Sequence, residues 1–450
     1  MNYNKYPKYK DSGIDWLGRI PEHWEVRKLK NDSAIKNGAT PSTNIDDFWD
    51  GDILWITPAE INDITFIDNS KRKITQQGYN SCGTNLVPEN SIILTTRAPI
   101  GKLVIAKKSL CTNQGCKSII PINFNTKFQF YQLTIRKKEL NALGTGTTFM
   151  ELGNFELKNL QCVAPPLPEQ TTIANFLDYK LEKIDRFITK KTQLIKLLNE
   201  QKAAIINQAV TKGVPTNDEL LMMNDELKKN NIHNSQFTTH NYKDSGIEWL
   251  GDIPDSWEVR KLKYSVQLNK HTSFDNDENS KNKIALENIE GKTGRILDLN
   301  ENPFEGDGTV FKKGDILFGK LRPYLAKVVT PNFEGSCVNE LLVLSPNKKD
   351  WLPEFLKYRM LAGDFIGIVD NSTYGAKMPR ASWSFIGSLK ISKPIKAEQQ
   401  EIVNHIETET AKTEKTITTI QKEISLIEEY KTALIAEAVT GKIDVRGFEL

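Results

Sequence analysis

The sequence predicts an α+β fold in which two globular domains are separated by two long antiparallel coiled-coil helices and related by an internal pseudo-twofold. Three observations lead there. Residues 9–30 (YKDSGIDWLGRIPEHWEVRKLK) return as residues 242–263 (YKDSGIEWLGDIPDSWEVRKLK), 233 positions later and identical at 18 of 22 places. A second repeat, 229 positions apart, links Glu169-Gln170 to Glu398-Gln399 and Gln208-Ala209-Val210-Thr211 to Glu437-Ala438-Val439-Thr440. Each Glu-Gln pair opens a long proline-free stretch in which apolar residues recur every three or four places, the period of a coiled coil.

The helical stripes come first because they set the organisation. One runs through Ile173, Leu177, Leu181, Ile184, Ile188, Ile195, Leu198, Ile205 and Ala209, interrupted by Lys191 and Lys202. The other runs through Ile402, Ile406, Thr413, Ile417, Ile420, Ile424, Ile427, Leu434 and Ala438. Pro165, Pro166 and Pro168 oppose an earlier start, and Lys212-Gly213 is a stop signal. About 44 residues at ~1.5 Å each give a rod of roughly 66 Å. Two similar rods in one chain are expected to fold back on each other, with the heads at opposite ends and facing the same way. Phe176, Phe187, Leu194 and Ile206 lie off the stripe and are expected to cover the heads or a partner.

The implied organisation is a first head at 1–165, a long helix at 166–213, a linker at 214–241, a second head at 242–395, and a second helix with a tail at 396–450. The linker is polar and rich in Asn, and reads as flexible apart from a turn or two of helix at 219–223. The net charge of +3 is unevenly spread. Residues 1–165 carry +5, residues 166–215 carry +3 and residues 396–450 carry −4. The first head is thus basic, as a phosphate-binding surface requires. The opposite signs of the two helical segments favour their pairing. No run of about 18 apolar residues exists, so no membrane span is expected. The N-terminal residues lack an apolar stretch, so no secretory signal is expected either. The scattered Cys82, Cys111, Cys116, Cys162 and Cys337 read as reduced thiols of a cytoplasmic protein.

Each head mixes short β-like runs with turns. Residues 52–57, 91–95 and 102–106 of the first and 315–318 and 341–344 of the second read as strands, and residues 128–140 and 353–361 as helices. Between matched ends the heads share only fragments, which is the pattern of similar tasks performed on different targets. One fragment pairs residues 90–93, Arg97 and Lys102 with residues 315–318, Arg322 and Lys327, at an offset of 225. A strand followed by an Arg-bearing loop suits base reading, because the guanidinium fork matches O6 and N7 of guanine. Lys320, Tyr324, Lys377 and Arg380 add candidates in the second head. Lys71, Arg72, Lys73, Lys107, Lys108 and residues 136–138 of the first suit phosphate contacts, which set register and carry little sequence information. An exposed lysine cluster is ordinarily only a solvated face. Two readers on twin rods imply a split target: two short sequences around an unread spacer.

Catalytic patterns are missing. There is no phosphate-cradling G-x-x-x-x-G-K-[ST] loop, and Gly144-Thr145-Gly146 lacks the flanking strand and helix of a nucleotide site. Ala164-Pro165-Pro166-Leu167 lacks the amide and aromatic of an amino-methyltransferase motif. Pro254-Asp255 followed by Glu258-Val259-Arg260-Lys261 is spaced too closely for a nuclease metal site. Neither catalytic nor metal residues are therefore expected. Trp16, Trp24, Trp249 and Trp257 are expected to pack the heads against the rods.

The repeated segment, the Pro-Leu-Pro-Glu-Gln run at 166–170 and the Gln-Ala-Val-Thr run at 208–211 resemble the specificity subunit of type I restriction-modification enzymes, over the whole chain. The run at 395–399 departs from Pro-x-Pro-Glu-Gln but keeps Glu-Gln. The resemblance implies that the heads are target-recognition domains for the two halves of an asymmetric double-stranded DNA site. It also implies that the rods hold two methyltransferase subunits, which use S-adenosylmethionine on adenine, and that restriction subunits using ATP and Mg join them. No cofactor is expected on this chain. The competing reading is a coiled-coil adaptor or structural protein whose two heads bind protein ligands.

Overall fold

The computed structural model describes residues 3–62, 65–146, 150–214, 241–273, 282–300, 304, 306–375 and 377–448. The helical turn expected at 219–223 falls outside them. Packing divides the chain into two compact units, Met1–Lys191 with Lys422–Leu450, and Thr192–Gln421.

In the first head, β1 (Glu25–Lys28), β2 (Ser33–Asn37), β3 (Ile92–Thr95), β4 (Leu103–Ala106) and β5 (Cys116–Pro121) precede α1 (Thr126–Thr134), α2 (Lys137–Ala142) and α3 (Asn154–Lys158). β6 (Gln161–Ala164) then leads into the long α4 (Leu167–Lys212). Strands β2-β5-β3-β4 lie in that order in an antiparallel sheet, with Phe66–Ile67 added beyond β4, and β6 pairs with β1. Both faces of this sheet are covered. Ile92, Leu94 and Ile119 join Phe128 and Leu133 in one core, while Ile93, Val104 and Ala106 join Ile56 and Leu110 in another. That is why β3 reads as an unbroken apolar run and not as an alternating one.

The second head repeats the plan. β7 (Glu258–Lys261), β8 (Val266–Asn269), β9 (Ile316–Gly319), β10 (Val328–Val329) and β11 (Leu341–Pro346) precede α5 (Pro353–Leu361), α6 (Gly363–Asn371) and α7 (Trp383–Ser388). β12 (Lys390–Lys393) follows and leads into α8 (Lys396–Val439). The sheet order is β8-β11-β9-β10, and β12 pairs with β7. Two sequences with few common residues thus build one α+β frame, because both keep apolar residues where the sheet is buried on two sides.

Each unit contains an antiparallel stretch of the long helices. In the first, Lys191 meets Glu423 at 2.7 Å and Asp185 meets Lys431 at 2.5 Å, so numbers rise on one helix as they fall on the other. In the second, Lys202 reaches Glu414 at 2.8 Å, and Arg295 joins the same carboxylate at 2.7 Å. The two lysines that interrupt the apolar stripe are therefore ion-pair partners of the other helix. Partial burial alone pushes the Glu414 pKa up, but the hydrogen bonds from Lys202 and Arg295 outweigh it and hold the carboxyl below its ordinary value.

The repeated Glu-Gln pairs fasten each head to the helix that follows it. Glu169 is buried and accepts hydrogen bonds from the Tyr6 hydroxyl (2.7 Å) and Trp24 Nε1 (3.1 Å), with His23 Nε2 at 2.7 Å. Glu398 accepts from Trp257 Nε1 at 2.7 Å. Gln170 accepts from the Asn125 amide (2.8 Å) and donates to the Pro165 carbonyl (2.8 Å). Gln399 likewise accepts from the Leu352 amide (2.8 Å) and donates to the Asp350 and Pro394 carbonyls (both 2.9 Å).

Several sequence expectations are corrected. The helix expected over 128–140 is two helices, broken where Ile135 and Arg136 turn into the core. Near the end of α4 it is Ile206, 4% exposed, that is buried with Ala209 and Val210, while Ile205 is only half-buried. Phe176 takes the first of the two roles expected for it and covers its own head, with Tyr3 and Phe448 packed edge-on against it. Phe187 and Leu194 stay exposed. Of the four tryptophans, Trp24 and Trp257 meet the long helices. Trp16 is half exposed and lies against Arg136, and Trp249 packs on Arg359 and Phe365.

Replacing Glu169 with Ala leaves the buried donors of Tyr6 and Trp24 unpaired, at about 1–3 kcal/mol for each. Denaturant unfolding of E169A should show a loss in that range or above, and E169Q, which keeps an acceptor, a smaller one. A carboxyl held below its ordinary pKa stabilises the fold above the unfolded value of about 4.3 and loses that contribution as pH falls through the folded value. The stability gap between wild type and Glu414→Gln should accordingly be full at neutral pH and close as pH drops below about 4.

Candidate nucleic-acid interface

The shared frame fixes where the variable residues fall. Leu94 pairs with Leu103 across β3 and β4, as Phe318 pairs with Val328 across β9 and β10. β3 and β9 therefore align at an offset of 224 and β4 and β10 at 225, so the loop after β9 is one residue longer than the loop after β3. Arg97 then corresponds to Leu321, which corrects the pairing of Arg97 with Arg322 suggested by the sequence. Bridges confirm the alignment: Arg97 and Thr145 both pair with Glu151, as Leu321 and Tyr374 both pair with Arg380. Each head thus joins a strand-end loop to a second, finger-like loop.

In the first head Arg97 is exposed and its Nε donates to Glu151 at 3.0 Å, the only hydrogen bond of its guanidinium among the described residues. Beneath lies Lys117, buried and 3.8 Å from the same carboxylate. Desolvation lowers the Lys117 pKa, and Glu151 counteracts the shift. Lys102, half-buried, donates from Nζ to Asn62 at 3.2 Å. The remaining first-head candidates lie outside this loop pair. Arg72 and Lys73 are on the strand Arg72–Ile74 beside Trp49–Ile56, preceded by Lys71, and the Arg72 guanidinium covers the Trp49 ring at 3.5 Å. Lys107, over the Phe66 ring at 5.2 Å, and Lys108 form the exposed turn after β4.

In the second head the two loops bring Lys320, Arg322, Tyr324, Lys377 and Arg380 together. The Arg322 amide donates to the Pro379 carbonyl at 2.8 Å and the Ala381 amide to the Lys320 carbonyl at 3.0 Å. Arg322 (φ 49°) and Ala326 (φ 48°) both adopt the left-handed conformation, which costs a residue with a Cβ about 1–2 kcal/mol. This strained pair flanks Pro323, Tyr324 and Leu325 and presents Tyr324, 47% exposed, to solvent. Two candidates are engaged internally. The Arg380 guanidinium reaches Glu340 from Nη2 (2.9 Å) and Nε (3.2 Å), and Lys327 Nζ donates to the Leu286 carbonyl at 2.5 Å.

Arg136 is removed from the phosphate candidates. It is 3% exposed, its Nε and Nη2 hold Glu139 at 2.8 and 2.7 Å, and its Nη1 donates to the Gln161 carbonyl at 2.6 Å, which ties α2 to β6. Sequence reading missed Tyr374, Met378, Met150 and Phe155, all exposed on or just after the finger loops. The glycines beside them, Gly146 (φ 125°) and Gly375 (φ 96°), were the signal available, since both adopt backbone conformations that other residues avoid.

The site offers cations, amides and exposed aromatics for binding. Among the described residues no three His, Cys, Asp or Glu side chains are grouped to hold a metal. The five cysteines are unpaired, and burial pushes Cys111 up to about 11 and Cys116 and Cys337 up to about 12, which keeps these three thiols protonated at neutral pH. No helix among the described residues is long and apolar enough to cross a membrane.

Residues 21–198 and 254–426 match the family described as the Type I restriction modification DNA specificity domain. The chain is 32% identical to the type I restriction enzyme MjaIX specificity subunit of Methanocaldococcus jannaschii over 251 residues, 55% of this chain and about half (52%) of that protein. It is 22% identical to the Escherichia coli EcoDI specificity subunit over 431 residues, 95% of this chain and 90% of that one. In fold it is similar to a chain solved in work on complex assembly and conformational transition of the type I R-M system, with TM-score 0.65, 12% identity, and 93% and 98% of the two chains covered. With two family matches falling on two copies of one frame, the chain belongs to the type I restriction-modification DNA specificity family, whose part is to recognise the DNA target and not to catalyse.

Proposed function

We propose that this chain reads an asymmetric, bipartite DNA site, one half with each head, around a spacer that neither head reads. The observation that carries this reading is a constant frame with changed loops. The strand and finger loops occupy the same place in both heads, yet Arg97 and Glu151 in one stand where Leu321 and Arg380 stand in the other. Readers built alike but lined differently suit two unlike half-sites. Within the loops, Arg97, Arg322, Lys320, Tyr324 and Lys377 are the proposed base-side contacts. Lys71, Arg72, Lys73, Lys107 and Lys108 are the proposed phosphate contacts. Lys102, Lys327 and Arg380, held by Asn62, Leu286 and Glu340, support the loops and reach DNA only at their edges.

The two head and helix domains, with boundaries near 165, 213, 241 and 395, would act in the cytoplasm within a larger assembly. The exposed Phe187, Leu194 and Leu197 of α4 and Leu426 and Tyr430 of α8 are the proposed footing for two modification subunits. Those subunits would methylate adenine with S-adenosylmethionine, and restriction subunits using ATP and Mg would cut, both directed by this chain's specificity. Under the competing adaptor reading binding need not weaken with salt, whereas phosphate-dominated binding weakens steeply as salt rises.

Mapping methylated adenines in cells carrying this chain and its modification subunit tests the proposal, which fails if no split motif is found. Arg322→Ala should relax one half-site only, at about 1–3 kcal/mol, and leave the other unchanged. Removing one heptad between residues 173 and 209, with the matching heptad of α8, shortens each helix by ~10 Å. The recovered motif should then keep both half-sites and lose about three base pairs of spacer, at ~3.4 Å each.

A further inference from the structure

Four cations recur at identical places in the two heads: Lys10 and Lys243, Arg27 and Arg260, Lys28 and Lys261, and Lys30 and Lys263. The arginines have structural work. Arg27 pairs with Glu25 (2.8 Å) and Asp32 (3.0 Å), and Arg260 with Asp350 (3.2 Å). Lys243 donates to the Asp255 carbonyl of its own hairpin. Among the described residues the side chains of the other two pairs make no hydrogen bond or ion pair, and Lys263 Nζ lies only over the exposed Tyr264 ring at 5.2 Å. Lys28, Lys30, Lys261 and Lys263 are exposed and enter none of the ion pairs among the described residues.

Their surroundings add charge instead of cancelling it. Lys261 lies directly opposite Lys390 across β7 and β12, a like-charge pair that disfavours the fold, and Lys390 also has no acidic partner among the described residues. In the first head Lys28 lies opposite Gln161, and exposed Lys158 ends α3, which packs against the turn holding Lys30. The turn is also fixed relative to the reading loop of its own head. The Leu152 amide bonds Thr96 beside Arg97, α3 follows, and the Leu160 carbonyl accepts from Leu29 between the two lysines. In the second head Ala381 bonds Lys320, α7 follows, and the Leu389 carbonyl accepts from Leu262. In each head one short helix, of five residues in the first and six in the second, is thus all that lies along the chain between the bond to the loop and the bond to the turn.

A contact to a base must change when the target changes, whereas a contact to the phosphate backbone need not. Two heads that differ in nearly all their loop residues but keep the same unneutralised lysines beside the loops fit the second kind. We propose that the turn at 28–30 and its copy at 261–263 are sequence-neutral phosphate clamps, gripping the DNA backbone next to each base-reading loop. This rests on the DNA-reading function proposed above.

The test is the salt dependence of binding by the full chain to two duplexes, one of random sequence and one carrying the site found by methylation mapping. Each phosphate contact contributes about 0.9 to the slope of log affinity against log salt. K28Q/K30Q and K261Q/K263Q should each lower the slope by about 1.8 and weaken both duplexes by the same factor, with the methylated motif unchanged. K28R/K30R should keep the wild-type slope, which separates loss of charge from loss of folding. Slopes equal to wild type in both glutamine variants would overturn the clamps. So would a loss confined to the site-bearing duplex, which marks a base contact, or a loss of modification-subunit co-purification with the slope intact, which marks a protein contact. Wild type that binds neither duplex would instead sink the DNA-reading function, and the clamps with it.

Discussion

A carboxylate facing an indole, buried in one half (Glu169) and half-buried in the other (Glu398), organises each half of this protein. Glu169 and Glu398 stand one turn into the long helices, and Trp24 and Trp257 bring the repeated hairpin segment down on them. A carboxylate in such a place is costly unless its lone pairs are filled, and a buried indole N–H is costly unless it finds an acceptor. Each satisfies the other, and the adjacent glutamine satisfies main-chain groups of the head at the same point. Burial and the Glu169 carboxylate also push the Tyr6 hydroxyl far above its ordinary pKa, which keeps it a donor. The position of the head relative to its own helix is thereby fixed by polar groups that have no alternative partner. This explains why the residues common to both copies cluster at 9–30 and 169–170 and at their counterparts.

With that joint held constant, the heads are free to change. The sheet needs only apolar residues at positions covered on both sides, and many sequences provide them. The loops beyond β3 and β9 need still less, since their shape is set by main-chain bonds to the finger loops. A single inserted residue shifts Arg322 out of register with Arg97 and places it in a strained conformation, while the strands on either side stay aligned. Such a frame tolerates replacement of its reading surface without disturbing its core. Strain of this kind is commonly kept where a side chain must be presented outward.

Much of this was legible in the residues. The duplication, the coiled-coil period, the strands at 91–95, 102–106, 315–318 and 341–344 and the helix at 353–361 all carry local signals. The lysines at 191 and 202 looked like defects in a stripe, because ion pairs to a helix more than two hundred residues away leave no local trace. Arg136 shows the same limit in reverse. In a run with Lys137 and Lys138 it reads as surface charge, and only the folded chain shows Glu139 and the Gln161 carbonyl closing around it.

What the sequence determined by itself was the repeat, the apolar periodicity and the separation of constant joints from variable heads, all of which depend on neighbours a few residues apart. The tertiary structure alone decided which loops meet, which of the cations remain free and which are consumed by internal partners. Those outcomes depend on contacts such as Arg97 with Glu151 and Arg380 with Glu340, between residues 54 and 40 positions apart. No pattern of adjacent residues encodes such a distance; it follows from the register in which the strands and finger loops pair.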